Sequence, residues 1–452
     1  VVTHVKTGEL LALANYPAYD PNLFSTGISD SDWKSLFPEN EDDPLAPRPL
    51  YNIAIQTAVQ PGSTFKMVTA LAALENGFSP TKTIRDMGKV DIGPQPFGCW
   101  IWNNGGGTHG SVNVYDALRD SCNYYFYSLA LGMNQKTGES LGMRVDIEDI
   151  ANISKQLGLN DKTGIEINIP NEASGGVPNP QSKLMLSKSI LKRYLNNNIR
   201  SYLKEGIELS DEEIEETIEE IIGWLEEGES VTRNEVIRRL DKMGIDPERR
   251  LKNEKEGLAD KIKFTYINHA GWNITDTLNA TIGQGYNAYT PIQMTNYIAT
   301  IANGGYRNKV TAVDSIKNFD NTKTIFEREV NPERIQLNNY DNLDHIKLGM
   351  RKVAIEGTSR SQFSQFPIPV AAKTGTAQTG INPATKEKYD DYAWFVAFAP
   401  YEEPEIAISI VLFQGGSGGY AGPIAREIFA EYLGLNNTEE EKVLPFENEL
   451  GR

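Results

Sequence analysis

The chain has 452 residues, of which 39% are hydrophobic, which is enough for one large domain with an insertion or for roughly two or three domains. Its formal net charge of -17 argues against nucleic-acid or anionic-membrane binding by the whole chain, because both rely on basic patches. No apolar run is long enough to predict a membrane-spanning helix. The chain opens at Val1 inside a predicted strand, without an initiator methionine or a signal peptide, so we expect a trimmed part of a longer protein.

The N-terminal region is predicted to begin with a β-hairpin. Strands Val1–Val5 and Leu10–Asn15 flank its turn, and a polar, proline-rich loop follows to about Pro49. A helix then begins at Ser63 and ends at Gly77, with apolar residues recurring on one side. This side is expected to face the core.

The middle of the chain alternates between loops and helices. Residues 80–110 are loop-like, and residues 111–132 are predicted to form a helix, a loop and a second helix. Residues 182–261 differ in composition and open with a basic helix. Capping boxes at Ser210 and Thr232 then start an acidic helix and a third helix. We interpret residues 182–261 as a helical insertion.

The C-terminal part is predicted to supply most of a sheet. Its elements are helices over 291–303, 342–354 and 423–432, a hairpin over 310–330, and strands over 369–378, 393–399 and 406–413. Strands at both ends of the chain, with helices between them, predict one sheet in which the terminal strands pair. The fold class is therefore α+β, an α/β sandwich with a helical lobe, and the polar tail 436–452 is expected to fray.

Ser63 has the context of a nucleophile. It follows a rigid Pro-Gly pair at the predicted start of a helix, and Lys66 lies on the same helix face, so the lysine amine is expected to reach the serine hydroxyl. A partly desolvated lysine can act as a base, and the free N–H groups at a helix start favour developing negative charge. The pattern Ser-x-x-Lys begins at Ser31, Ser63, Ser79, Ser189 and Ser201. Only Ser63 combines the Pro-Gly entry with an apolar helix.

Two more short motifs occur in several copies. Ser-x-Asn begins at Ser111 and Ser121, and Lys-Thr-Gly begins at Lys6, Lys136, Lys162 and Lys373. Only the copy at Lys373 continues a predicted strand and precedes two apolar strands, which predicts a sheet edge facing a cleft. The other three Lys-Thr-Gly copies are predicted to be solvated turns.

The ordered set Ser63-x-x-Lys66, Ser121-x-Asn123 and Lys373-Thr374-Gly375 is the signature of the penicilloyl-serine transferases. Within this group the chain resembles class B penicillin-binding proteins, most closely the penicillin-binding protein 2 family of the cell-elongation machinery. The supporting stretches are Thr7-Gly8-Glu9, Tyr19-Asp20-Pro21-Asn22, His109-Gly110, Gly283-Gln284-Gly285 and Trp394-Phe395. The resemblance implies the transpeptidase and serine β-lactamase-like fold, a central antiparallel sheet flanked by helices.

The resemblance also implies peptidoglycan D,D-transpeptidation. Ser63 would attack the D-Ala-D-Ala carbonyl of a stem peptide with Lys66 as base, and a β-lactam would acylate Ser63 as a substrate mimic. Ser121 would relay a proton to the leaving nitrogen, Asn123 would bind a substrate amide, and the backbone N–H groups of Ser63 and Thr376 would form the oxyanion hole. The resemblance implies Lys373 as a further catalytic residue and Thr374, Gly375 and Thr376 as substrate-binding residues. Lys373 and Thr376 would hold the substrate carboxylate.

The domain plan and cellular setting are likewise implied by the resemblance. A sheet subdomain would cover about 1–60 and 305–435, and a helical subdomain about 61–304 would carry the insertion. The family usually has a membrane anchor and a non-catalytic pedestal before this domain, and we expect both to be missing from this trimmed part of the protein. The resemblance implies the extracytoplasmic face of the bacterial cell membrane, with a membrane glycosyltransferase and elongation-complex proteins as partners.

The two cysteines belong to a possible metal site. The set Asp86, Cys99, His109 and Cys122 could form a tetrahedral zinc shell. From the residues alone, a Cys99–Cys122 disulfide and unrelated buried side chains stay open beside zinc. Relatives of penicillin-binding protein 2 carry zinc in this segment, and this chain has a ligand type at each of the four positions. The resemblance therefore implies a closed, structural zinc site, whereas acyl transfer itself requires no cofactor.

Other functions share the same acylation step. A serine β-lactamase would need a base for deacylation, and Thr275 stands where the glutamate of one class would precede Leu278-Asn279. A D,D-carboxypeptidase would use water as acceptor, and a non-enzymatic β-lactam sensor would stay acylated. Turnover of penicillin separates a lactamase from a transpeptidase or a sensor.

Overall fold

The computed structural model describes residues 1–436 except 42, 44, 94, 95, 167–171, 253, 383 and 384. A five-stranded antiparallel sheet lies at its centre, in the order Ala371–Ala377, Tyr392–Ala399, Ile406–Leu412, Val2–His4 and Leu10–Ala12. Val2 pairs with Ile408, so the predicted pairing of the terminal strands is confirmed. The predicted tail lies outside the described residues apart from residue 436.

Helices cover both faces of this sheet because its central strands are apolar on both sides. On one face, Val396 and Phe398 join the main core with the helices Lys66–Glu75, Asn123–Leu131 and Pro291–Ala302. On the other face, Phe395 and Ala397 pack in a second core with the helix Gly422–Tyr432. This arrangement confirms the α+β class.

Further elements surround these layers. The longer helices are Ile147–Gln156, Ile274–Thr281 and Asp341–Ile355, and a hairpin of Ser315–Lys317 with Thr324–Glu327 lies within the predicted 310–330. The loop-like stretch 80–110 contains the short strands Ile84–Arg85, Lys89–Val90 and Phe97–Gly98 and the helix Trp100–Gly105. Strands of two residues carry no readable alternation, so the sequence did not predict them. Within the described ranges, no helix is both long and apolar enough to cross a membrane.

The insertion has a hydrophobic core of its own. Its helices are Pro180–Asn198, Asp211–Glu227 and Arg233–Lys242, followed by helical turns from Leu258 to Ala270. Its core includes Leu191, Ile218, Leu240 and Ile262 and extends to Ala270, beyond the predicted end at 261. The capping box at Ser210 forms as predicted.

The second predicted capping box forms only in part. Thr232 accepts a hydrogen bond from the Glu235 N–H, as an N-cap should. The Glu235 carboxylate, however, pairs with Arg238 and Arg239 instead of turning back to the Thr232 N–H. Two nearby guanidinium groups compete successfully with one backbone donor.

Candidate active site

Ser63 lies in a single 3-10 turn, Gly62–Phe65, that runs directly into the helix Lys66–Glu75. Every residue of this helix from Lys66 to Leu74 is buried, so the helix anchors the turn firmly in the core. Ser63 itself is half-buried. The turn thus presents the serine hydroxyl at the surface of the packed core.

Gly62 permits two close backbone approaches to the Ser63 turn. Its φ is +53°, and a Cβ atom there would lie 2.4 Å from the carbonyl oxygen of Thr376. On the other side, the Gly62 N–H donates to the Gly283 carbonyl at 3.0 Å, and a Cβ on Gly283 would lie 2.1 Å from the Gly62 oxygen. The turn is therefore held between the strand Ala371–Ala377 and the loop Gly283–Gly285.

The Lys66 ammonium group donates three hydrogen bonds. They go to the Ser121 carbonyl at 2.8 Å, to Ser121 Oγ at 3.2 Å and to Asn123 Oδ1 at 2.6 Å. In the described part of the chain, no hydrogen bond joins Lys66 to the Ser63 hydroxyl, although their spacing led us to expect one. The reason is that an ammonium group has three N–H donors, and Ser121 and Asn123 occupy all of them.

Ser121 Oγ lies between two lysine side chains. Lys373 Nζ is 3.0 Å from this oxygen and also donates to the Thr374 carbonyl at 2.8 Å. Ser121 has a φ of +55°, an unusual conformation for a residue with a side chain. Such strain is found where the surrounding structure fixes a functional geometry.

Burial changes the acid–base chemistry of both lysines. It lowers the pKa of Lys66 to about 8, although the electrostatic effects of the nearby Cys99 and Cys122 side chains oppose this shift. It also lowers the pKa of Lys373 well below its usual value, with the charge of Lys66 acting in the same direction. A neutral amine, which can accept a proton, is therefore accessible near physiological pH.

The two threonines of the strand Ala371–Ala377 lie two residues apart on the same face but differ in exposure. Thr376 is exposed, and its hydroxyl accepts a hydrogen bond from the Gly418 N–H at 3.2 Å. Thr374 is buried and bonds through its hydroxyl to Thr358 at 2.6 Å. No role was predicted for Thr358 or Gly418, because their separation from the motif in the chain leaves no local signal that could have found them.

Two hydrogen bonds connect the segments around the Ser63 turn. Trp394 Nε1 donates to the Gln60 carbonyl at 2.8 Å, and Gln284 Nε2 donates to the Thr376 carbonyl at 3.3 Å. Trp394 and Gln284 both belong to stretches that supported the family resemblance. That resemblance is the signal that could have assigned them to the site.

The remaining motif copies lie away from this arrangement. The other Ser-x-x-Lys serines, Ser31, Ser79, Ser189 and Ser201, are all exposed. Lys6, Lys136, Lys162 and Ser111, the serine of the second Ser-x-Asn copy, are exposed as well. Only one copy of each motif therefore contributes to the cluster of Ser63, Lys66, Ser121, Asn123 and Lys373.

Asp86, Cys99, His109 and Cys122 come together beneath the Ser121 loop, with their ligand atoms all within 4.8 Å of one another. Cys99 Sγ is 3.9 Å from Cys122 Sγ and 3.5 Å from His109 Nδ1, and Cys122 Sγ is 3.5 Å from Asp86 Oδ2. Ligands on a tetrahedral zinc ion are about 3.3 to 3.8 Å apart. Asp86 Oδ2 and His109 Nδ1, at 2.9 Å, are closer than that and form a hydrogen bond. The donor set and its spacing fit a zinc shell.

The alternative disulfide is not formed, since both thiols are free and a disulfide would bring the sulfur atoms to about 2 Å. The hydrogen bond with Cys122 lowers the pKa of Cys99, despite burial, while burial raises the pKa of Cys122. A thiolate is thus favoured at Cys99. The Asn123 N–H donates to Cys99 Sγ at 3.3 Å, which ties the four-residue cluster directly to the Ser121 loop.

This fold, with one serine and two buried lysines around a second serine, defines the class of serine enzymes that includes penicillin-binding proteins and serine β-lactamases. The family model "Penicillin binding protein transpeptidase domain" matches residues 1–197 and 236–433. The chain belongs to the penicillin-binding protein transpeptidase family. Residues 198–235, between the two matched segments, lie within the insertion.

Individual relatives agree with this assignment. The Peptidoglycan D,D-transpeptidase MrdA of Acinetobacter baumannii is 27% identical over 438 residues, which cover 95% of this chain and 49% of that protein. The Helicobacter pylori Penicillin-Binding Protein (PBP2), solved in complex with MreC, is 25% identical with a TM-score of 0.63, over 96% of this chain and 59% of that one. The chain thus spans about half the length of the curated relatives it matches. These matches confirm the resemblance to class B proteins of the penicillin-binding protein 2 type.

A more distant structure has the same fold. The penicillin G acyl-enzyme complex of penicillin-binding protein A from M. tuberculosis is 21% identical with a TM-score of 0.60, over 96% of this chain and 74% of that one. At this identity the likeness concerns the fold alone.

Proposed function

We propose that this chain cross-links peptidoglycan stem peptides as a D,D-transpeptidase, through an acyl-enzyme on Ser63. The observation that carries the proposal is the position of Ser121 Oγ, between the amines of Lys66 and Lys373 at 3.2 and 3.0 Å, beside the Ser63 turn. A nucleophile, a base and a proton relay are the groups that acyl transfer needs.

The chemical steps follow from this arrangement. Neutral Lys66 accepts the Ser63 proton, and Ser63 Oγ bonds to the penultimate D-Ala carbonyl carbon of a D-Ala-D-Ala donor. The C–N bond then breaks as Ser121 gives its hydroxyl proton to the leaving nitrogen of the terminal D-alanine and takes up the proton held by Lys66, which becomes neutral again. A neutral amine of a neighbouring stem next attacks the ester carbonyl, the bond to Ser63 Oγ breaks, and the proton lost by the attacking amine passes through Lys66 to Ser63 Oγ. Neutral Lys66 keeps two N–H donors and must turn its lone pair toward the Ser63 hydroxyl, a rearrangement that is common when catalytic hydrogen bonds tighten on substrate binding.

Substrate binding would fall to the strand Ala371–Ala377 and to Asn123. Lys373 and the Thr376 hydroxyl would hold the substrate carboxylate, and Asn123 would pair with a substrate amide. The backbone N–H groups of Ser63 and Thr376 would stabilise the oxyanion. The close packing of Gly62 against Thr376 supports this role, because it brings the two backbone segments to one place.

We further propose that Asp86, Cys99, His109 and Cys122 hold zinc. The near-tetrahedral spacing of three of the four neighbouring ligand pairs and the thiolate character of Cys99 support this proposal. Bound zinc would supply a structural crosslink without a reacting position, because four protein ligands complete its shell. Cys122 separates Ser121 from Asn123, so fixing Cys122 would fix both neighbours in the cleft.

Localisation and partners rest on resemblance. The solved complex of the H. pylori protein with MreC supports a proposal that the full-length protein assembles with elongation-complex proteins. We place it at the extracytoplasmic face of the cell membrane, beside a membrane glycosyltransferase, because its peptidoglycan substrate is there.

A D,D-carboxypeptidase, a β-lactamase and a β-lactam sensor are the competing functions. For a β-lactamase, Thr275 occupies the position at which one class has its deacylating glutamate, and its hydroxyl is hydrogen-bonded to Asn273. No carboxylate is therefore supplied at that position. This favours a long-lived acyl-enzyme with penicillin over hydrolysis.

Intact-mass analysis after brief exposure to penicillin G tests the proposal. We expect one adduct, mapped by peptide sequencing to Ser63, and no adduct on Ser63→Ala. The matched control Ser79→Ala removes an exposed Ser-x-x-Lys serine and should label normally. Incubation with D-Ala-D-Ala stem peptides should give cross-linked product. An adduct on another serine, rapid penicillin turnover, or release of D-alanine without cross-linking would each refute the proposal.

A further inference from the structure

Lys183 is a buried cation at the junction of the insertion with the main domain. It lies in the first turn of the helix Pro180–Asn198, and its side chain is only 3% exposed. Its ammonium donates to Asp276 Oδ2 at 2.6 Å and to the Gly271 carbonyl at 2.7 Å. It also lies 5.8 Å from the centre of the Tyr286 ring, within the range of a cation–π contact.

Asp276 connects this cation to the start of another helix. It accepts the Asn273 N–H at 2.9 Å, and Asn273 in turn caps the helix Ile274–Thr281. Asp276 therefore fixes where this helix begins and holds it to Lys183. The helix leads directly into the loop Gly283–Gly285.

That loop packs against one side of the Ser63 turn. The Gly283 carbonyl accepts the Gly62 N–H at 3.0 Å, and Gln284 donates to the Thr376 carbonyl at 3.3 Å. The loop thus touches the two backbone segments whose N–H groups would form the oxyanion hole. A shift of the loop would change their relative position.

We propose that the Lys183–Asp276 ion pair holds the loop Gly283–Gly285 in a fixed position relative to Ser63 and Thr376, so that both are positioning residues. The inference rests on the proposed acylation of Ser63. Other ion pairs of the same helix, such as Lys188–Glu226, involve an exposed carboxylate that is 64% accessible, and pairs of this kind contribute little. Loss of one partner from the buried pair leaves the other charge without compensation.

The test measures acylation by penicillin G for the full chain and for three variants. Lys183→Met removes the cation, Asp276→Asn keeps an oxygen for the Asn273 cap, and the double variant contains no charge at the site. Small errors in the geometry of reacting groups affect the chemical step strongly. We expect each single variant to lower the limiting acylation rate at least about tenfold, with little change in the half-saturating penicillin concentration. The double variant should lose less than the product of the two single effects.

Each acylation rate is divided by the amount of protein that finally becomes labelled, so that a partly unfolded variant cannot be mistaken for a slowly acylating one. Lys188→Met is the matched control on the same helix and should acylate like wild type. If wild type is labelled and both single variants keep its limiting rate, or if their effects simply multiply in the double variant, the inference is wrong. If Lys183→Met does not fold, the limiting rate of Asp276→Asn alone decides: a wild-type rate overturns the inference, and a tenfold loss supports it. If wild type is not labelled, the proposed function itself fails.

Discussion

Acylation of Ser63 by penicillin is expected to accelerate between pH 7 and pH 9, because the base must be a neutral amine. Burial lowers the pKa of Lys66 from 10.5 to about 8. A lowered lysine pKa means that the amine is protonated and inactive below pH 8 and becomes neutral above it. Raising the pH through 8 therefore converts Lys66 from an inactive ammonium group into an active base.

The expected size of the effect follows from this value. With a pKa of about 8, about one tenth of Lys66 is neutral at pH 7 and about nine tenths at pH 9, so the rate should rise about tenfold and then level off. With an ordinary lysine pKa, the neutral fraction would rise about a hundredfold over the same interval and continue to rise. The shape of the profile thus distinguishes a buried base from a solvated one.

A fluorescent penicillin and rapid quenching give the second-order acylation rate constant from pH 6 to pH 10. Lys66→Arg is the matched control, since a guanidinium stays charged throughout this range and should abolish acylation at every pH. A flat wild-type profile, or a Lys66→Arg variant that acylates at the wild-type rate, would refute the assignment of Lys66 as the base.

Three further changes probe the surroundings of the site. The chain should contain about one zinc ion, and chelation or Cys122→Ser should lower both the melting temperature and the acylation rate; absence of metal together with a Cys99–Cys122 disulfide would refute the zinc site. Replacing residues 187–267 by a short Gly-Ser linker should change acylation by less than about threefold, because Lys183, which remains, already bonds to Gly271 at the far end of the insertion. A hundredfold loss would show that the insertion shapes the cleft. Gly62→Ala should abolish acylation, since its Cβ would lie 2.4 Å from a backbone oxygen. Gly77 also has a positive φ, but a Cβ there would meet no neighbouring atom, so Gly77→Ala should acylate normally. The fraction of protein that penicillin labels measures both outcomes.

Local patterns predicted the elements that depend on local forces. The helix behind Ser63 ends near Gly77 because that glycine adopts a positive φ of +82°, and the Ser210 capping box forms because both partners lie within one turn. The pairing of Val2 with Ile408 was predictable for another reason. Apolar strands at both ends of a chain must be buried, and a shared sheet buries them together.

The parts that escaped prediction depend on partners far away in the chain. Lys183 and Asp276 are 93 residues apart, and nothing in the local pattern distinguishes Lys183 from the solvated lysines of the same helix. The positive φ of Ser121 is imposed by its surroundings, since serine has no intrinsic preference for that conformation. Likewise, spacing placed Lys66 beside Ser63, but only the fold shows that Ser121 and Asn123 accept all three of its hydrogen bonds.

The net charge of -17 gives no hint of the electrostatics inside the site, where Lys66 and Lys373 are both fully buried. Two charged amines on one hydroxyl would be mutually destabilising, and burial adds to this cost, so the pKa of each lysine is lowered. The apolar helix behind Lys66 and the continuous pairing of Ala371–Ala377 with Tyr392–Ala399 offset it. A substrate carboxylate at Lys373 would supply the missing negative charge. The proposed carboxylate site would therefore favour an anionic donor peptide over a neutral one.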